Sequence, residues 1–131
     1  MKNIDKMIKC RALFLQSVAY LNGENINIDD NFNLILESFL ETYFYGNEDY
    51  FNLIYYFDID EEGTLAIRED EEWANSLNKY LTYFMTNNHD KVKEIYDEIG
   101  REDVKKISTL AEMFYAYVIA LNDMSNTRIR S

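Results

Sequence analysis

The chain has 131 residues, 13 of them basic and 24 acidic, for a formal net charge of −11, with one Cys, one His and no Pro. This length suits one domain, 1–131, whose core is large enough to need neither disulfides nor a metal staple. The lone Cys10 and the lone His89 exclude the usual Cys/His zinc centres, a single thiol fits a reducing compartment, and the negative charge opposes direct contact with phosphates.

Hydrophobic spacing places a first helix over about Asn3 to Asn22, with Ile4, Met7, Ile8, Leu15, Val18 and Leu21 along one face and Gly23 closing it. Ala12 to Leu21 is apolar after a basic start, but Gln16 and Ser17 interrupt it and no small-residue cleavage site follows, so it does not read as a signal peptide. No run approaches the roughly 20 apolar residues of a membrane span. A cytoplasmic protein is expected, and the richness in Asn, Ile, Lys and Tyr looks like that of AT-rich bacterial or phage genes. Cys10 lies beside Lys9 and Arg11, which can lower a thiol pKa, but a partly buried, inert thiol is the simpler expectation. Asn25 to Ile28 alternates. Asp29 or Asp30 then caps a second helix striped by Phe32, Ile35, Leu36, Phe39 and Tyr43 and ended by Gly46.

The segment from Asp49 to Leu77 admits two backbones. Asp58, Asp60 and Glu62 at first, third and fifth places, Gly63 at the sixth, Thr64 offering its carbonyl and Glu69 at the twelfth resemble an EF-hand calcium loop. Glu62 is longer than the usual fifth donor, Ala66 has no oxygen for the ninth place, and no second loop is visible. The competing backbone is a β-hairpin near residues 55–68. Phe57 and Ile59, then Leu65 and Ile67, alternate with polar neighbours around the turn Asp60-Glu61-Glu62-Gly63, and Ile26 and Ile28 can add a third strand. The hairpin is preferred because it buries Ile59 and Ile67 with Phe57 and Leu65, each isoleucine contributing about 1.5–3 kcal/mol. Calcium is therefore the alternative cofactor, and none is the leading expectation.

The remaining chain reads as helices. Asp70, Glu71 and Glu72 open one that continues to about Thr86, with Trp73, Leu77, Tyr80, Leu81 and Phe84 inward. Asn87 or Asn88 caps the next, with Val92, Ile95, Tyr96 and Ile99 inward and Gly100 closing it; His89 sits exposed at its start. The last spans about Glu102 to Asn122, leaving residues 124–131 as a flexible tail. The fold class is mainly α with a small β element: a compact bundle of about five helices plus the hairpin.

Charge is distributed by region. Residues 1–11 carry Lys2, Lys6, Lys9 and Arg11 against Asp5; residues 79–131 balance eight bases with eight acids; residues 12–78 hold Arg68 alone against 15 acids. The regional values are +3, zero and −14. A solvated acidic face that keeps the protein soluble is the ordinary explanation for such an excess. Several tyrosines, Tyr43, Tyr45, Tyr50, Tyr55 and Tyr56, crowd the same half, a composition common on protein-binding surfaces. No Gly-rich phosphate loop, Gly-x-Ser-x-Gly or His-Glu-x-x-His motif occurs, so no enzyme is expected.

In size, charge and lack of catalytic motifs the chain is similar to phage anti-CRISPR and anti-restriction proteins, and to immunity proteins against nuclease toxins. That likeness implies a non-enzymatic inhibitor whose carboxylates imitate nucleic-acid phosphates in the basic groove of a nuclease or another nucleic-acid-binding enzyme. The candidate binding surface is Glu48, Asp49, Asp58, Asp60, Glu61, Glu62, Glu69, Asp70, Glu71 and Glu72. Immunity to a nuclease toxin and a single calcium-binding module with ligands Asp58, Asp60, Glu62, Thr64 and Glu69 are the alternatives.

Overall fold

The computed structural model describes residues 4–23, 30–86 and 88–130. Six helices and a two-stranded antiparallel sheet follow in the order α1 (Ile4–Asn22), α2 (Asp30–Tyr43), α3 (Glu48–Phe51), β1 (Phe57–Ile59), β2 (Leu65–Ile67), α4 (Glu71–Met85), α5 (His89–Ile99) and α6 (Arg101–Arg130). The helical bundle with a small hairpin is thus the observed architecture. Asn25 to Ile28, expected to alternate as a strand, and the possible cap Asp29 lie outside the described residues.

α1 departs from the one-faced helix expected of it. Met7, Ile8, Cys10, Arg11, Ala12, Leu13, Phe14, Leu15, Val18 and Ala19 are all buried. Six consecutive buried residues, Cys10 to Leu15, cover every direction around the helix axis. α1 is therefore a central helix, packed against α4, α5 and α6. Ile4 and Leu21, expected inside, lie at its ends and are 39% and 36% exposed. Cys10 is fully buried, and loss of hydration pushes its thiol up to about 12 against the pull of Lys6. The neighbouring cations do not activate it. Native Cys10 is expected to react with a thiol reagent at pH 8 at least about a hundredfold more slowly than in denaturant. Equal rates in the two states would contradict this burial.

An aromatic cluster joins α2, α3 and α6 to this centre. Phe39 is fully buried and meets Tyr43, Phe51, Phe114 and Tyr117 at ring separations of 5.2, 5.3, 5.3 and 5.5 Å. Phe114 in turn meets Phe14 at 5.7 Å and Phe32 at 5.6 Å. The tilted and edge-on arrangements match the preferred geometries of aromatic pairs. The Ser38 hydroxyl and Tyr117 hydroxyl lie 2.7 Å apart, tying α2 to α6 beside the cluster.

Local signals set the later helix boundaries. The Asp70 carboxylate accepts from the Trp73 amide at 2.7 Å, and the Asn88 side chain accepts from the Lys91 amide at 3.3 Å. Each satisfies an amide with no partner in its own helix. Gly100 alone separates α5 from α6, at φ 92° and ψ 152°, a combination open essentially only to glycine. α6 passes its expected end at Asn122 and runs to Arg130, because neither Gly nor Pro interrupts residues 101–130. Residues 124–130 of the segment expected as a tail continue the helix. Among the described residues, no helix is long and apolar enough to cross a membrane.

Candidate functional site

The acidic segment folds as a hairpin, with Phe57 facing Ile67, Asp58 facing Ala66 and Ile59 facing Leu65. The base of the hairpin is anchored in the core: Phe57 is buried, stacks on Tyr55 at 5.5 Å and meets the Phe44 ring at 5.6 Å. The far end is not. Ile59 is 64% exposed and Ile67 only half-buried, which corrects the expectation that both isoleucines drive the pairing from a buried face. The hairpin's closure comes from the turn itself. Asp60 Oδ1 accepts from the amides of Glu62 at 3.0 Å and Thr64 at 2.8 Å. The Asp60 amide donates to the Thr64 carbonyl at 3.2 Å, and the Gly63 amide to the Asp60 carbonyl at 3.0 Å. Gly63 sits at φ +82°, the left-handed position such a turn demands.

This backbone replaces the calcium loop. A bound calcium needs Asp58, Asp60, Glu62, Thr64 and Glu69 to converge. Instead Asp58 pairs with Arg68 at 2.6 Å, Asp60 holds the turn amides, and Glu69 pairs with Arg11. The helix that would enter such a loop is reduced to the single turn α3. Among the described residues no three His, Cys, Asp or Glu side chains cluster as metal ligands.

The ten candidate acids divide into two sets. Glu48 accepts from the Gly46 amide at 3.0 Å, and Asp58, Asp60, Glu69 and Asp70 have the internal partners given above. Asp49, Glu61, Glu62, Glu71 and Glu72 are exposed and make no hydrogen bond or ion pair through their carboxylates among the described residues. They occupy α3, the hairpin tip and the first turn of α4. Glu71 and Glu72 are stabilised there by the positive end of the helix dipole. Of the crowding tyrosines, Tyr45 is 85% exposed and Tyr43 39%, whereas Tyr55 is buried and belongs to the core.

Lys6, Lys9 and Arg11 of α1 each pair with a carboxylate, Arg11 with the candidate acid Glu69. Lys6 meets Asp103 of α6 at 2.7 Å, and Lys9 pairs with Glu98 of α5. Hydrogen bonding to these carboxylates raises both lysine pKa values against the opposing effect of burial. Arg11, 1% exposed, pairs with Glu69, and its guanidinium carbon lies 4.8 Å from the Tyr55 ring centre. Burial lowers its pKa, yet a guanidinium starts so high that it stays charged. Arg11 stands between Cys10 and the apolar run Ala12 to Leu15, and that position is the sequence signal for its burial. Arg68, the single base of residues 12–78, is occupied by Asp58.

Several other depressions mark the surface. A cleft of about 420 Å³ runs along Leu13, Gln16, Tyr20, Tyr96, Ser108 and Glu112, with Glu112 the only carboxylate among the described residues that line it. A smaller one, about 220 Å³, lies between the starts of α1 and α4 and is lined by Asp5, Ile8, Tyr56, Asp70, Glu72 and Trp73 among others. Composition and spacing gave no warning of it, because Asp5 reaches it from a helix far away in sequence. No protein-family model, curated protein or solved structure matches this chain.

Proposed function

We propose that the protein is a non-enzymatic binding protein that blocks a basic, nucleic-acid-handling partner by presenting carboxylates where that partner expects phosphates. The observation that carries this reading is the uncompensated set Asp49, Glu61, Glu62, Glu71 and Glu72, exposed while Arg11 and Arg68 are committed to Glu69 and Asp58. A surface of one sign attracts a basic partner over a distance set by the ionic strength and favours fast association. Inhibition of an anti-CRISPR or anti-restriction type is the form of this function that fits a small acidic chain in a bacterial or phage-infected cell.

The test takes a purified basic nuclease recovered with the protein. Binding is expected to weaken by at least about tenfold between 50 and 200 mM salt, as competition with phosphate-like contacts requires. Reversal of Glu61, Glu62, Glu71 and Glu72 to Lys should abolish it. Unchanged binding by a folded quadruple variant would sink the reading.

A further inference from the structure

Asn22 and Gly23 are the one Asn-Gly pair of the chain, and they stand where α1 ends. The pair matters chemically because the amide nitrogen after an asparagine can attack that asparagine's side-chain carbonyl carbon. Glycine has no Cβ to hinder the approach. Both residues are exposed. The Asn22 side chain makes no hydrogen bond among the described residues. The Gly23 amide, the attacking group, donates to the Tyr20 carbonyl at 3.3 Å, beyond the usual range for such a bond. Gly23 lies at φ +73°, where the chain turns out of the helix. A terminal turn of this kind opens at little cost, whereas an interior turn opens only with the surrounding fold. Other asparagines are held. Asn75 precedes the small Ser76, but both lie within α4, whose hydrogen bonds fix the backbone. The Asn88 side chain accepts from the Lys91 amide, and that of Asn47 donates to the Tyr43 carbonyl at 2.9 Å.

We propose that Asn22 is a site of spontaneous covalent modification, converting through a cyclic imide to aspartate and isoaspartate. Hydroxide takes the Gly23 amide proton, and the nitrogen forms a bond to Asn22 Cγ. The Cγ–Nδ2 bond breaks, and Nδ2 leaves as ammonia with a proton from water, which restores the hydroxide. A second water then opens the imide. Breaking the bond from the Gly23 nitrogen to Cγ gives aspartate. Breaking its bond to the main-chain carbonyl carbon gives isoaspartate, with the chain now running through Cβ and Cγ. In sum one water enters, one ammonia leaves, and nothing is oxidised or reduced. Either product puts a carboxylate at the negative end of α1, in a last turn that holds no base. Isoaspartate also lengthens the main chain, so the last turn no longer fits the helix. Tyr20 and Leu21 of that turn line the cleft of about 420 Å³, and the modification loosens this wall. The chemistry is independent of the binding function.

The full chain is incubated at mildly alkaline pH in water carrying heavy oxygen, and peptide mapping by mass spectrometry locates the label and separates aspartate from isoaspartate. Label should enter residue 22 at least about tenfold faster than residue 75 or 88, because only Asn22 reacts from an open helix end. Isoaspartate should be present at residue 22, and Asn22→Gln, which must close a larger ring, should lose the signal. Denaturant should accelerate Asn75 by at least about tenfold more than Asn22, since Asn75 alone waits for the fold to open. Labelling of residue 22 no faster than of residue 75, or without isoaspartate, overturns the proposal. Equal acceleration of the two sites in denaturant overturns the role of the open helix end. The structural consequence is read by amide hydrogen exchange. The last turn of α1 should exchange faster in the purified isoaspartate form than in Asn22→Asp, which carries the charge without the longer main chain. Equal exchange in the two overturns the loosening of the cleft wall.

Discussion

Phe39→Ala is expected to lower the free energy of unfolding by about 3–5 kcal/mol, measured by urea denaturation. The side chain is fully buried and touches four other aromatic rings, from α2, α3 and α6. Truncation removes the transfer free energy of the ring and leaves a cavity that rigid aromatic neighbours close poorly. It also removes several edge-on and tilted contacts at about 0.5–1.5 kcal/mol each. Phe39→Leu should recover more than half of the loss, since it keeps most of the buried volume. Tyr45→Ala serves as the contrast. That ring is 85% exposed, and its removal should stay within about 0.5 kcal/mol. A Phe39→Ala loss below about 1 kcal/mol would show that α2 does not share a core with α6.

The second large effect concerns the ion pair between Arg11 and Glu69. Glu69→Ala should cost about 3 kcal/mol, because it leaves a guanidinium that is 1% exposed without its carboxylate. The Arg11 Nε already lacks a partner, so no spare acceptor stands ready to replace the lost one. Arg11→Met should cost clearly less. It replaces the buried charge with an apolar side chain of similar length, and the carboxylate left behind is 32% exposed and can turn to water. The order of the two losses is the test: a larger loss for Arg11→Met would mean that the pair stabilises the fold by attraction beyond its desolvation cost. The result also bears on the binding surface. Glu69 lies among the candidate acids, but its variant is expected to act through folding, so it is unsuited to charge-reversal experiments on partner binding.

The hairpin shows how a correct backbone can be inferred from an incomplete reason. Alternation and the turn Asp60–Gly63 are local properties, and the observed register follows from them. The burial of Ile59 depends on what packs over it, and at 64% exposure it is mostly uncovered. The turn network of Asp60 and the anchored Phe57 carry the stabilisation that was assigned to the isoleucines. α1 teaches the reverse lesson. Its apolar stripe was legible, but the number of helices surrounding it was not, and that number decides whether Arg11 is a surface cation or a buried one.

By itself the sequence determined the features that act within a few residues: the acidic start of α4 at Asp70, a cap for α5 at Asn87 or Asn88, the left-handed turn at Gly63, the close of α5 at Gly100, the mainly helical fold and the regional charge of −14. These are set by side chain to backbone bonds and by steric limits on φ, which need no knowledge of the rest of the chain. The tertiary structure alone decided which acids are free. Arg11 and Glu69 stand 58 positions apart, and Lys9 and Glu98 stand 89 apart. Only packing can bring such partners together, because residues so far apart in sequence meet where the segments that carry them pack, and the 1% exposed Arg11 has in addition lost its water. The acidic excess was written in the composition, and its division into structural and unpaired carboxylates was made by the fold.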